Sequence, residues 1–66
     1  MKTYLMLEIA IEVAWQLGDT LEDFPRAESR WQSANIALDI INKGLITDET
    51  EDIDEVINAY LESIGL

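Results

Sequence analysis

Six of the eight residues from Asp48 to Glu55 are carboxylates, namely Asp48, Glu49, Glu51, Asp52, Asp54 and Glu55. Such a run suggests three kinds of chemistry: holding a divalent cation, pairing a general acid with a general base, or presenting negative charge to a partner. A calcium loop counted from Asp48 needs glycine at its sixth position and a bidentate glutamate at its twelfth. This chain has Ile53 and Ala59 there, so no metal site is expected. Acid and base work by paired carboxylates requires a concave apolar pocket that raises the pKa of one of them. A chain of 66 residues has little room for one. The remaining reading is a charged contact surface.

Mechanical reasons account for part of the run. Acids at a helix N-terminus interact favourably with the macrodipole, by about 0.3–1 kcal/mol each, which explains two or three of them. It does not explain Glu51 and Glu55, which on one helix would be a repulsive i, i+4 pair. Nor does it explain Asp19, Glu22, Asp23 and Glu62.

The rest of the composition argues against catalysis. The chain has no His and no Cys, so triads and thiol nucleophiles lack their base or nucleophile. Its glycines, Gly18, Gly44 and Gly65, stand singly and make no phosphate-binding loop. We therefore expect a protein that is not an enzyme and needs no cofactor. Fourteen acidic against four basic side chains give a formal charge of −10, which repels nucleic acid and anionic membranes alike. The expected partner is a basic protein surface, met by Asp48, Glu49, Glu51, Asp52, Asp54, Glu55 and Glu62, with Glu22 and Asp23 beside them.

The elements that must position these residues read as an all-α, small three-helix bundle in one domain, 1–66. Gly18 and Gly44 each follow a periodic apolar stretch, as when glycine closes a helix in the left-handed conformation. The first helix is expected over about 3–17. There Glu8, Glu12 and Gln16 form one narrow stripe, and Met6, Leu7, Ala10, Ile11, Val13, Ala14 and Leu17 cover most of the rest, so that this helix must be covered from more than one side. A strand reading competes, because Leu5, Leu7, Ile9, Ile11 and Val13 alternate. The apolar pattern continues through Ala14, Trp15 and Leu17, which favours helix.

The second helix is expected over about 26–43 after Pro25, with Phe24 plugging the bottom of the core. Ala27, Trp31, Ala34, Leu38 and Ile41 share the face assigned to the core. Ile36 and Ile40, with Ser29 and Ser33, form a second apolar patch suited to self-association. The third helix is expected over about 48–64, capped at Thr47 or Asp52, with Asp52 and Glu55 at the spacing of a capping box. Its stripe is Ile53, Val56, Ile57, Tyr60, Leu61 and Ile64. Trp31 reads as core. Trp15, beside Tyr4, reads equally as core edge or exposed anchor, the latter because tryptophan is enriched at binding hot spots.

Carboxylates one helical turn apart lie about 5–6 Å from each other, close to the spacing of successive phosphates along a strand. In size, acidity and helical make-up the chain resembles the small phage-encoded inhibitors of bacterial defence, the anti-CRISPR and acidic anti-restriction proteins. The resemblance spans the chain without a shared motif. It implies a nucleic-acid mimic that occupies a site on a nuclease or CRISPR effector subunit otherwise filled by DNA or guide RNA.

The alternative is a homodimeric adaptor, or an antitoxin or immunity-type protein, with contacts through Ile36, Ile40 and Trp15. A core this small gains from further burial at about 25 cal/mol per Å². Glu8 and Glu12 interrupt the apolar start before it reaches the length of a signal sequence or membrane span, so a cytoplasmic location is expected.

Overall fold

Leu5, Ile9, Val13 and Leu17 recur at i, i+4 spacing, which places them on a single stripe if the segment is helical, whereas a strand would put Leu7 and Ile11 on the same face with them. In the computed structural model all four are buried. Leu7 and Ile11, which a strand would place beside them, are exposed. The segment is a helix, α1 (Thr3–Thr20), followed by α2 (Arg26–Asn42) and α3 (Ile53–Ser63). The structure describes the backbone of residues 1–20 and 26–66 and the side chains of 1–18 and 31–66. Phe24, Pro25, Glu22 and Asp23 lie outside the described residues. The protein is an all-α three-helix bundle, with no strand among the described residues.

Helix α1 organises the bundle, because both α2 and α3 pack against it. Its buried stripe meets Ile36, Ala37 and Ile40 from α2 and Ile57 and Leu61 from α3, with Ile46 from the intervening connection completing the core. Each fully buried aliphatic side chain contributes about 1.5–3 kcal/mol relative to exposure. Both helices cover α1 from one side. The expectation that its wide apolar girth would be enclosed from more than one side is not met, and Leu7 and Ile11 face outward.

The rotation of α2 is opposite to the sequence reading. Ile36 (8% exposed) and Ile40 (0%), assigned to self-association, are core residues, whereas Trp31 (72% exposed) and Leu38 point outward. The physical reason is closeness of approach. Ser33 and Ala37, small residues on the Ile36/Ile40 side, are buried with them and let α2 come near α1. A seam centred on Trp31 would hold the helices apart. The arrangement has a cost, since the buried Ser33 Oγ has no hydrogen-bond partner among the described residues.

Glycine acts differently at its positions. Gly44 has φ +68° and Gly65 has φ +85°, the left-handed conformation that closes a helix. Gly44 N–H donates to the Ile41 carbonyl (3.1 Å) and Leu45 N–H to that of Ile40 (3.2 Å). Gly65 N–H donates to Glu62 (3.1 Å) and Leu66 N–H to Leu61 (2.9 Å). Both are Schellman closures, and the second turns Leu66 back onto the core. Ile64, expected on the α3 stripe, is instead the C-terminal capping residue and exposed. Gly18 does not end α1, which continues to Thr20. A single glycine costs about 1 kcal/mol inside a helix without breaking it.

Two predictions follow from this geometry, both read by urea denaturation. Ile40→Ala should cost about 2–4 kcal/mol, whereas Leu38→Ala should stay within about 0.5 kcal/mol. The reverse order would mean that α2 is turned the other way. Gly18→Ala should stabilise by about 0.5–1 kcal/mol, because a Cβ there meets open space. Gly44→Ala should destabilise by about 1 kcal/mol, because the left-handed backbone is strained for any side chain with a Cβ.

Candidate protein-interaction surfaces

The acidic run is divided by the start of α3. Of the two caps considered, the structure uses Asp52, with α3 beginning at Ile53. The expected capping box is not formed, since Asp52 has φ −120°, ψ 77° and makes no side-chain cap hydrogen bond. Upstream, the chain turns at Thr47: Thr50 N–H donates to the Thr47 carbonyl (3.1 Å). Thr47 N–H donates to Thr50 Oγ1 (3.0 Å) and Glu49 N–H to Thr47 Oγ1 (3.3 Å). Hydroxyl turns of this kind hold the backbone without a helix.

Asp48, Glu49, Glu51 and Asp52 therefore stand on a turn, and only Asp54 and Glu55 lie in the first turn of α3. Glu51 and Glu55 are not a helical i, i+4 pair. The regular ladder of carboxylates at one-turn spacing is replaced by a compact cluster.

Two contacts tie this cluster to α1 and to Lys2 just before it, one from Gln16 to Asp54 and one from Lys2 to Asp48. Gln16 Nε2 donates to the Asp54 carbonyl (3.0 Å) and to Glu12 Oε1 (3.2 Å), and the Lys2 backbone N–H donates to Asp48 Oδ1 (3.2 Å). Farther along α3, Tyr60 donates its hydroxyl proton to Asp39 on α2. Lys43 pairs with the same carboxylate at 2.8 Å and lies 5.4 Å from the Tyr60 ring centroid. This latch holds α3 against α2.

All seven described acids assigned to partner binding, Asp48, Glu49, Glu51, Asp52, Asp54, Glu55 and Glu62, are exposed. Among the described residues the ion pair is Lys43 with Asp39, outside this group. The crowding bears on Asp52. A side-chain hydrogen bond with Asp54 first, then the charge of Asp54, with smaller contributions from desolvation and from Glu55, hold its carboxyl above the ordinary value. No three of the described carboxylates converge as a metal site would require.

A second surface is apolar. Tyr4, Leu7, Ile11 and Trp15 (67% exposed) run along the outer side of α1, and Trp31 and Leu38 along the outer side of α2. Trp15 is thus an exposed residue, and Trp31, read from sequence as core, is another. Leu7, Ile11 and Leu38 were missed as surface candidates because their periodicity suits a core equally well. No helix among the described residues is long and apolar enough to cross a membrane. No family model, curated protein or solved structure matches the chain.

The crowding has a pH signature. A carboxyl whose folded-state pKa is raised holds its proton more tightly folded than unfolded, so its ionisation opposes folding. That penalty is complete at neutral pH, is relieved as pH falls through the raised value, and is gone below the unfolded value. Asp52→Asn should therefore raise Tm at pH 7, and its advantage over the native chain should shrink on acidification into the carboxylate range. Thermal melts by circular dichroism measure both. A lower Tm at pH 7 for the variant would show that Asp52 serves the helix start more than it suffers from its neighbours.

Proposed function

We propose that this chain is a non-catalytic binding protein that seats its acidic cluster on a basic surface of a nucleic-acid-handling partner and thereby blocks it. The observation that carries the reading is the clustering of exposed acids without a paired cation among the described residues, at a place where like charges already oppose one another on Asp52. Bound to a positively charged groove, the cluster would exchange that repulsion for attraction. The setting that suits such a protein is the cytoplasm of a bacterium whose defence system a phage or mobile element must silence. Mimicry would here be of charge density, as the carboxylates follow a turn and one helical turn and not an even ladder.

The test is capture of partners from bacterial lysate by the tagged chain. A nucleic-acid-binding protein should be retained at low salt and elute as salt rises, because exposed charges separated by more than about 8 Å are largely screened at physiological ionic strength. Changing Glu51, Asp52, Asp54 and Glu55 together to their amides should weaken capture at least about tenfold, the equivalent of 1.4 kcal/mol, with an unchanged circular dichroism spectrum. Capture that survives the four substitutions would remove the acidic cluster from the interface.

A further inference from the structure

Helices α1 and α2 have α3 on one side only. The contacts of Gln16 with Asp54 and of Asp39 with Tyr60 mark the sides of α1 and α2 turned toward α3. Passing around each helix from that side, one crosses the buried stripe and then reaches residues on the opposite side of the pair. Ala10 and Ile41 lie there, partly buried against the core, with Ala14 half-buried beside them. Leu7 and Ile11 on α1 and Leu38 on α2 rise around this floor, each more than half exposed. No charged side chain among the described residues falls on this sector of either helix.

We infer that this face is a self-association surface, covered in solution by a second copy of the chain packed pair on pair, so that α1 and α2 of each copy form the centre of a symmetric dimer. Two observations select a second copy as the occupant. The first is charge. At −10 per chain, two copies can meet only where acids are sparse, and a closed two-fold interface opposes a face to itself. This face is free of described acids, and the Asp48 to Glu55 cluster lies on the α3 side, so back-to-back pairing keeps the two clusters apart.

The second observation is area. The exposed parts of Leu7, Ile11, Leu38 and, at the edge, Trp31 together amount to on the order of 500 Å² of apolar surface per copy, at the upper end of what monomers leave bare. Doubled and joined by the floor residues, it reaches about 1,200 Å², where specific interfaces begin. The small alanines at the floor let the opposing leucine and isoleucine side chains enter.

The inference is independent of the acidic-cluster reading, and the signs of the salt effects separate them. Sedimentation equilibrium of the whole chain, from about 10 to about 500 µM, should show a mass rising from the 7.5 kDa of one chain to twice that and stopping. Added salt should tighten the dimer by screening its self-repulsion, whereas it weakens binding to a basic partner. Ile11→Glu and, separately, Leu38→Glu should weaken dimerisation at least about tenfold while leaving the circular dichroism spectrum unchanged. Leu38→Gln serves if either charged variant loses helix.

The four amide substitutions in the acidic cluster should leave the dimer intact or tighter. In a Trp15→Phe background, Trp31 emission should shift to the blue with rising concentration as the face closes. A chain that stays monomeric, a mass that climbs past two, a dimer indifferent to Ile11→Glu, or monomers that bind neutral phosphatidylcholine vesicles in preference to each other would each overturn the assignment.

Discussion

The structure depends on one stripe. Leu5, Ile9, Val13 and Leu17 are the surface on which both other helices are built, and every buried apolar residue described on α2 and α3 belongs to the cluster around it. Because one side of one helix serves two partners, α2 and α3 must share it, and their own contact with each other is lighter. It runs through the Tyr60, Asp39 and Lys43 latch at the margin of the core. In so short a chain, where only about 60% of the unfolded surface is buried on folding, a single core gathered around this stripe holds the buried apolar side chains described on all three helices.

How much of this the sequence disclosed depended on how many solutions each segment allowed. α3 has one clean apolar stripe, and Ile57 and Leu61 are buried as its spacing requires. The closure at Gly44 was legible because φ above zero is cheap for glycine alone. α2 offered two stripes, Trp31 with Leu38 and Ile36 with Ile40, and periodicity cannot rank them. The difference lay in the small residues Ser33 and Ala37, whose value is closeness to a neighbour that the sequence of α2 does not contain. α1 posed the same problem in another form: nearly all its circumference is apolar, so the pattern marks a helix without marking its inner side.

The charge was legible as a quantity and less so as an arrangement. The run from Asp48 to Glu55 reads naturally as one helical ridge. The hydroxyls of Thr47 and Thr50 instead satisfy the backbone before the helix begins, and Glu51 leaves the register that would have paired it with Glu55. The raised Asp52 carboxyl is the local result, set by Asp54 and Glu55 across the boundary between turn and helix.

The buried Ile46 has a consequence for how the C-terminal third is held in place. α1 and α2 are close in sequence and meet at small loop-closure cost, but the contact of Lys2 with Asp48 joins residues 46 apart. Ile46, 1% exposed, anchors the connection between α2 and α3 in the shared core and so ties the C-terminal third to the α1–α2 pair. The acidic cluster belongs to that third, so its place beside α1 rests on the burial of Ile46, Ile57 and Leu61 and on the contacts of Lys2 and Gln16.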